Sequence, residues 1–104
     1  MTSHLDRFTY ILVDRKPVSH PNNDEWWCWY MTEANRRVAE TTIGAVWVST
    51  VFTGLNIIPQ DMALFETEVF GGDHNGETWR CRTWEEAEEQ HKKIVEMVTE
   101  ENCK

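Results

Sequence analysis

Arginine and tryptophan side chains carry the clearest chemical potential in this sequence. Arg36 and Arg37 are adjacent, and Arg80 and Arg82 lie two residues apart. A guanidinium group binds phosphate or carboxylate oxygens through two parallel hydrogen bonds, and an indole such as that of Trp47 stacks on a flat ligand. Together with Trp79, these residues could form a site for a nucleotide-like ligand. A simpler interpretation pairs the same arginines with glutamates on the protein surface.

Residues with catalytic potential do not form a known catalytic arrangement. Ser49 and Thr50 lack the surrounding Gly-x-Ser-x-Gly that exposes a serine nucleophile. Glu66 and Glu68 share one face of a predicted strand, where carboxylates usually pair with basic neighbours. The glycine-rich segment 71–76 lacks the Lys-Ser/Thr of a phosphate-binding loop. We therefore expect no catalytic residue and no enzymatic activity.

Cysteine and histidine residues do not show the spacing of metal ligands. Cys28, Cys81 and Cys103 are far apart and odd in number, and the four histidines are scattered. This pattern predicts reduced thiols, no metal site and no bound cofactor. His74, which lies in the glycine-rich segment, remains a candidate for contacting a ligand or partner.

The charge of the chain restricts its partners. Eighteen acidic residues outnumber ten basic ones, so the formal net charge is -8. Nucleic acids and anionic membranes attract cationic surfaces, so we expect neither to bind directly. No apolar segment approaches the roughly 18 residues that cross a membrane, and no signal-peptide pattern is present. We expect a single domain (1–104) in the cytoplasm.

Two segments rich in β-branched and aromatic residues, 45–56 and 64–72, predict the central strands of the fold. Further strands are expected at 8–13, 38–42 and 78–82, with a short return strand near Val18. Glycines in 71–76 predict a hairpin turn. Charge matching across that hairpin places Glu68 opposite Arg80 and Glu66 opposite Arg82.

Two helices are predicted from apolar periodicity. In 25–33, Trp26, Trp29 and Tyr30 share one face and are expected to be buried. Trp27 and Met31 form a second pair, which is either packed or a partner-binding surface.

The second helix starts with a capping box at Thr83 and Glu86 and is expected to run to about Thr99. His91 lies on the apolar stripe of this helix, where a hydrogen-bonded, half-buried histidine is expected. The predicted fold is α+β, with a mostly antiparallel sheet of four to five strands. Two helices cover one face of the sheet, and the C-terminal helix is the longer.

Segments 48–55, 64–72 and 83–87 read VSTVFTGL, LFETEVFGG and TWEEA. With matches upstream at 25–26 and 36–39, most of the chain resembles a family of small proteins of tailed bacteriophages and prophages. That family's pattern runs VSTVFxGL…LFETxVFGG…TWEEA. The family usually has Leu-Asp-His where this sequence has Leu55, Asn56 and Ile57. Asn56 is therefore a candidate ligand- or partner-binding residue in which an amide replaces the family's carboxylate. The resemblance implies a phage origin and assigns no catalytic residue.

Two functions are expected from these observations. The first is a non-enzymatic phage accessory protein that binds and antagonises a host protein in the cytoplasm of the bacterial host, as a counter-defence inhibitor. The alternative is a protein that sequesters a small nucleotide-like host signal, with a second copy of the chain completing the pocket.

Overall fold

The computed structural model describes residues 9–20, 23–55 and 62–102 and confirms the α+β class. A hairpin of β1 (Tyr10–Val13) and β2 (Lys16–Ser19) is followed by α1 (Asn23–Met31) and the one-turn helix α2 (Glu33–Arg36). Four strands follow: β3 (Arg37–Ile43), β4 (Val46–Phe52), β5 (Phe65–Phe70) and β6 (Thr78–Cys81). Helix α3 (Trp84–Asn102) ends the described chain.

Strands β3 to β6 form an antiparallel sheet in their sequence order, separate from the β1–β2 sheet. Alternate residues of β4 and β5 are buried, as the period of two predicts. The buried face carries Val46, Val48, Thr50, Phe52, Phe65, Thr67 and Val69. Helix α3 packs along this face, so the core lies between α3 and the sheet.

The predicted capping box starts α3. The Glu86 N–H donates to Thr83 Oγ1 at 3.1 Å, and Glu86 Oε1 accepts from the Arg82 N–H at 3.1 Å. The bond to Thr83 satisfies a first-turn amide that an uncapped helix leaves free, whereas Glu86 reaches the residue before the N-cap instead of Thr83 itself. The predicted stripe of α3 faces the sheet, with Ala87, His91, Ile94 and Val98 buried. The amphipathic pattern therefore determines which side of α3 faces the core.

The helix predicted at 25–33 ends earlier, because α1 stops at Met31 and Thr32 is extended (φ -85°, ψ 99°). Side chains beyond the break bind the last carbonyls of α1. Asn35 Nδ2 donates to Trp29 O at 2.9 Å, and Arg36 Nε donates to Tyr30 O at 2.7 Å. These donors satisfy the helix C-terminus without a further turn.

Helix α1 packs mainly against β1, whereas only α3 lies along the sheet. Trp26 Nε1 donates to Tyr10 O at 2.9 Å, and the Tyr10 N–H donates to Gly54 O at 2.8 Å. Gly54 has φ +71°, and a Cβ there would lie 3.2 Å from Tyr10 O. Through this close approach, the β1–β2 hairpin and α1 pack against the end of β4. The expectation that both helices cover the sheet is therefore wrong for α1.

The predicted pairing of β5 with β6 is wrong by two residues. Glu66 lies opposite Arg80, and Glu68 lies opposite Thr78 rather than Arg80. The faces are nevertheless right, because a shift of two residues preserves alternation. Gly71 and Gly72 have φ of +95° and +71° and follow the end of β5 at Phe70. The connection from Glu68 to its partner takes residues 69–77, two fewer than the predicted 69–79.

The three tryptophans of α1 differ in burial, so we expect their substitution by alanine to lower the free energy of unfolding by different amounts. Trp26 is 5% exposed, Trp29 is partly buried against Phe52, and Trp27 is 53% exposed. We expect Trp26→Ala to lower the free energy of unfolding by about 3–5 kcal/mol. Trp27→Ala should lower it by about 1 kcal/mol or less, with Trp29→Ala between them. Urea unfolding measures this order, and equal losses at positions 26 and 27 would contradict the packing of α1.

Candidate protein-binding surface

Helix α3 leaves the opposite side of the four-stranded sheet uncovered, and we name this side the open face. Strand pairing arranges its side chains in three rows across the sheet. The rows are Thr42–Trp47–Phe70, then Glu40–Ser49–Glu68–Thr78, and then Arg37–Val51–Glu66–Arg80. Neighbours within a row are about 5 Å apart and successive rows about 7 Å apart.

An aromatic pair forms one end of the open face. Trp47 and Phe70 lie opposite each other, with ring centroids 4.8 Å apart and planes at 27°. They are 36% and 39% exposed. Gly71 follows directly, and a Cβ there would lie 2.8 Å from Ala45 O, so only glycine permits this turn beside β4. Exposed stacked aromatics are typical of protein interfaces.

Glutamates outnumber arginines on the open face, and both arginines are paired. Arg80 Nε lies 3.2 Å from Glu66 Oε2. Arg37 lies 2.9 Å from Glu33 Oε1 and 3.4 Å from Glu40 Oε2. Within the described part of the chain, no ion pair engages Glu68. The face therefore presents a free carboxylate beside the aromatic pair.

The other predicted site residues do not join this surface. The Arg36 guanidinium lies 4.2 Å from the centre of the Tyr30 ring, at the end of α1. Arg82 follows β6 and lines a cleft of about 280 Å³ with Arg80 and Glu86. Trp27 is exposed on α1. Asn56 lies outside the described residues.

His74 connects the β5–β6 turn to α3. Its Nδ1 hydrogen-bonds to the Glu77 carboxylate, and its Nε2 lies 3.8 Å from Glu101 Oε1. The hydrogen bond to Glu77 is the main cause that raises the pKa of His74, and the charges of Glu77, Glu101 and Asp73 add to it. Protonated His74 therefore joins the turn to the last part of α3.

A hydrogen-bonded chain lies beneath α3, and sequence reasoning found only part of it. His91 Nδ1 is 2.7 Å from Thr50 Oγ1, and His91 Nε2 is 2.9 Å from Thr41 Oγ1. Thr50 Oγ1 is 2.6 Å from Thr67 Oγ1, which accepts from Gln90 Nε2 at 3.0 Å. We name these five residues the threonine–histidine chain. Thr50 and Thr67 are fully buried, and His91 is 6% exposed.

The direction of donation in the threonine–histidine chain follows from Gln90, whose amide N–H can only donate. Thr67 accepts from Gln90, and Thr50 Oγ1 is the other hydrogen-bond partner of its buried hydroxyl among the described residues. The arrangement that uses every proton therefore has Thr67 donate to Thr50 and Thr50 donate to His91 Nδ1. The remaining proton of the neutral imidazole lies on Nε2 and is donated to Thr41. Burial lowers the pKa of His91, which agrees with this neutral tautomer.

The residues with nucleophilic potential lie in different environments. Thr50 and His91 are within hydrogen-bonding distance; Thr50 is fully buried, and His91 is 6% exposed and lines a cleft of about 470 Å³ with Glu88 and Lys92. Ser49 lies on the open face, on the other side of the sheet from His91. Burial, with a smaller effect of the Glu86 charge, raises the pKa of the Cys81 thiol to about 11, so this thiol is protonated at neutral pH.

The described residues contain no group of three or more side chains arranged to hold a metal ion. Within the same ranges, no helix has the length and apolar character needed to span a bilayer. Comparison with protein-family models, curated proteins and solved structures finds no match. The phage-family resemblance therefore stays a prediction.

The lowered pKa of His91 leads us to expect that the protein loses stability in mild acid. Because its pKa is lowered on folding, its contribution to stability is complete above about pH 6.5 and is lost as the pH falls towards the folded-state value. The free energy of unfolding should fall between pH 7 and 5.5, with a limiting slope of about 1.4 kcal/mol per pH unit. Urea unfolding of wild type and His91→Gln measures this slope, which should be shallower in the variant.

His74 provides the matched control, because its shift has the opposite sign. A raised pKa gives a contribution that is complete below about pH 6.5 and is lost as the pH rises through the folded-state value. His74→Gln should therefore remove a decline on the alkaline side and leave the acid decline in place. An acid decline that disappears in His74→Gln and persists in His91→Gln would contradict both assignments.

Proposed function

We propose that this protein is a non-enzymatic phage accessory protein that binds a host protein through its open face and antagonises it. The observation that carries the proposal is the exposed Trp47–Phe70 pair beside the carboxylate of Glu68, which has no ion pair among the described residues. The sequence resemblance supports a phage origin, and the cytoplasm of the bacterial host is the place where such a protein would act.

The composition of the open face supports a protein partner. Interfaces gain most of their affinity from a few central aromatic or arginine anchors, with charged groups at the rim setting orientation and rate. Trp47 and Phe70 provide an aromatic anchor of this kind, and Glu40 and Glu68 flank Ser49 in the next row. A partner with an apolar pocket bordered by lysine or arginine would complement this arrangement.

The negative charge of the protein provides a way in which binding could block the host factor. With a net charge of -8, it is attracted to basic surfaces. Glu68 lies about 7 Å along β5 from Glu66, whose carboxylate is paired with Arg80. A carboxylate such as that of Glu68 can occupy a position at which a host protein binds a phosphate group. The inhibited host factor would then be one whose working surface is basic.

Sequestration of a nucleotide-like signal is the alternative, and the positions of the arginines favour it less. Trp47 and Arg80 share the open face but are separated by two strands and two rows, or about 10 Å across and 13 Å along the sheet. The cleft that brings Arg80 and Arg82 together is also lined by the Glu86 carboxylate. An acidic group in this position opposes phosphate binding.

A capture experiment with matched variants tests the proposal. Immobilised wild type, Trp47→Ala, Glu68→Lys and Trp27→Ala are each exposed to host lysate at low and physiological salt. We expect one host protein to bind wild type and Trp27→Ala, whose substituted residue lies exposed on α1 outside the open face. Trp47→Ala should reduce its binding at least tenfold, as loss of a central aromatic anchor does. Glu68→Lys should slow association, most strongly at low salt.

The captured protein is then purified and its activity measured with each variant. Inhibition by wild type and Trp27→Ala, and none by Trp47→Ala, is the expected result. No specific capture at either salt concentration, or equal capture by Trp47→Ala, would overturn the proposal. A thermal shift of the wild type with millimolar cyclic or ADP-ribose-type nucleotides, abolished by Arg80→Gln, would favour the alternative.

A further inference from the structure

The outer edge of β6 is an unpaired sheet edge with little protection against association. Among the described strands, β6 pairs only with β5. The edge at β3 is interrupted by an irregularity between Arg37 and Ala39, which discourages addition of a strand. Strand β6 has no such irregularity and no proline. The two edges of the sheet therefore differ, and β6 is the one able to accept another strand.

The backbone groups on this edge belong to Thr78 and Arg80. The Val69 N–H donates to Glu77 O at 3.1 Å, so residues 77, 79 and 81 direct their backbone groups towards β5. The N–H and C=O groups of Thr78 and Arg80 consequently point away from the sheet. An added antiparallel strand must form its hydrogen-bonded pairs at these two positions.

We propose that the β6 edges of two copies of this chain pair antiparallel and form a continuous eight-stranded sheet. In the register that uses both positions, Thr78 of each copy lies opposite Arg80 of the other, and the two Trp79 residues face each other. A shift that sets Arg80 against Arg80 places like charges together, which is destabilising. A shift that sets Thr78 against Thr78 moves Arg80 beyond the strand, opposite Gly76. The contact is therefore self-complementary in one register, as a two-fold interface requires.

Charge complementarity on the open face supports this register. Glu68 lies opposite Thr78, and Thr78 would lie opposite Arg80 of the second copy. The long arginine side chain of the second copy can therefore extend over Thr78 towards Glu68. Glu68 is the open-face glutamate that no ion pair engages within the described residues. Because Arg80 already pairs with Glu66 of its own copy, its guanidinium would be shared between that carboxylate and Glu68 of the other copy, at each of two equivalent positions.

The helix-covered side of the sheet offers apolar surface at the same edge. A cleft of about 540 Å³ lies between β6 and α3, lined by Trp79, Ile94 and Met97 and bordered by Glu86, Glu89 and Lys93. In the proposed register, Trp79 of the second copy lies beside this cleft and covers part of its apolar lining.

Cysteine crosslinking tests both the dimer and its register. In a background of Cys28→Ser, Cys81→Ala and Cys103→Ser, single cysteines replace Thr78, Trp79 or Arg80. Facing residues at position 79 form a pair without hydrogen bonds, with Cα atoms about 4.5 Å apart, which is within disulfide range. Under mild oxidation Trp79→Cys should form a covalent dimer. Thr78→Cys and Arg80→Cys should not form one, because the Cα atoms of the same residue in the two copies are then roughly 8 Å apart.

Sedimentation of the otherwise unmodified chain gives an independent measurement. We expect wild type to have twice the monomer mass of 12.3 kDa at high micromolar concentration. Thr78→Pro removes an outward N–H, which edge strands tolerate, and should raise the dimer dissociation constant at least tenfold. Thr78→Val keeps that N–H and should leave the mass unchanged. Circular dichroism verifies that each variant is folded.

A monomeric wild type, or crosslinking at position 78 or 80 in place of 79, would overturn the proposal. Capture of a host protein that fails in Thr78→Pro while wild type remains monomeric would show that the edge accepts a strand of a partner instead. These readouts do not depend on the proposed function. Mass and crosslinking report on β6, whereas the Trp47 variant reports on the open face.

Discussion

The threonine–histidine chain is the interaction on which the rest of the structure depends. Apolar contacts alone would allow α3 to slide or rotate on the sheet, because many positions bury similar area. His91 of α3 bonds to threonines of β3 and β4, and Gln90 bonds to a threonine of β5. A buried polar group without a partner is costly, so any other placement of α3 would be penalised. The chain therefore sets both the rotation and the axial position of α3.

The location of the open face is a consequence of that placement. Once Thr50 and Thr67 lie under α3, alternation places Trp47, Ser49, Glu66, Glu68 and Phe70 on the other side of the sheet. One side of each strand thus maintains the fold, and the other side is free to vary in chemistry. This separation explains why the aromatic pair and the glutamates stand together although they come from different strands.

The sequence predicted which residues face the core more accurately than which residues pair. The faces of β4, β5 and α3 follow from periods of 2 and 3.6, which a short segment already contains. The pairing of β5 with β6 is different, because a shift of two residues leaves both the alternation and one Glu–Arg match intact. Only the conformation of Gly71 and Gly72 distinguishes the two registers, and composition does not specify it.

Features that depend on contacts distant in sequence were predicted least well. The break at Thr32 arises because Asn35 and Arg36 reach back to carbonyls of α1. The partners of His91 are 41 and 50 residues away along the chain. Arginine spacing left both a phosphate site and pairing with glutamates open, and the particular partners of Arg37 and Arg80 are set by tertiary structure.

The sequential order of the sheet has a consequence for how this chain reaches its native state. Each strand from β3 to β6 pairs with the strand next to it in sequence, through connections of two (44–45), twelve (53–64) and seven (71–77) residues. Short loops cost little entropy to close, and proteins dominated by such contacts fold quickly for their size. The β1–β2 hairpin and α1 attach through Gly54 at the end of β4, so they can dock after the sheet has formed. Helix α3 follows all four strands in the sequence, so during synthesis the apolar face of the sheet stays uncovered until α3 has been made and can pack on it.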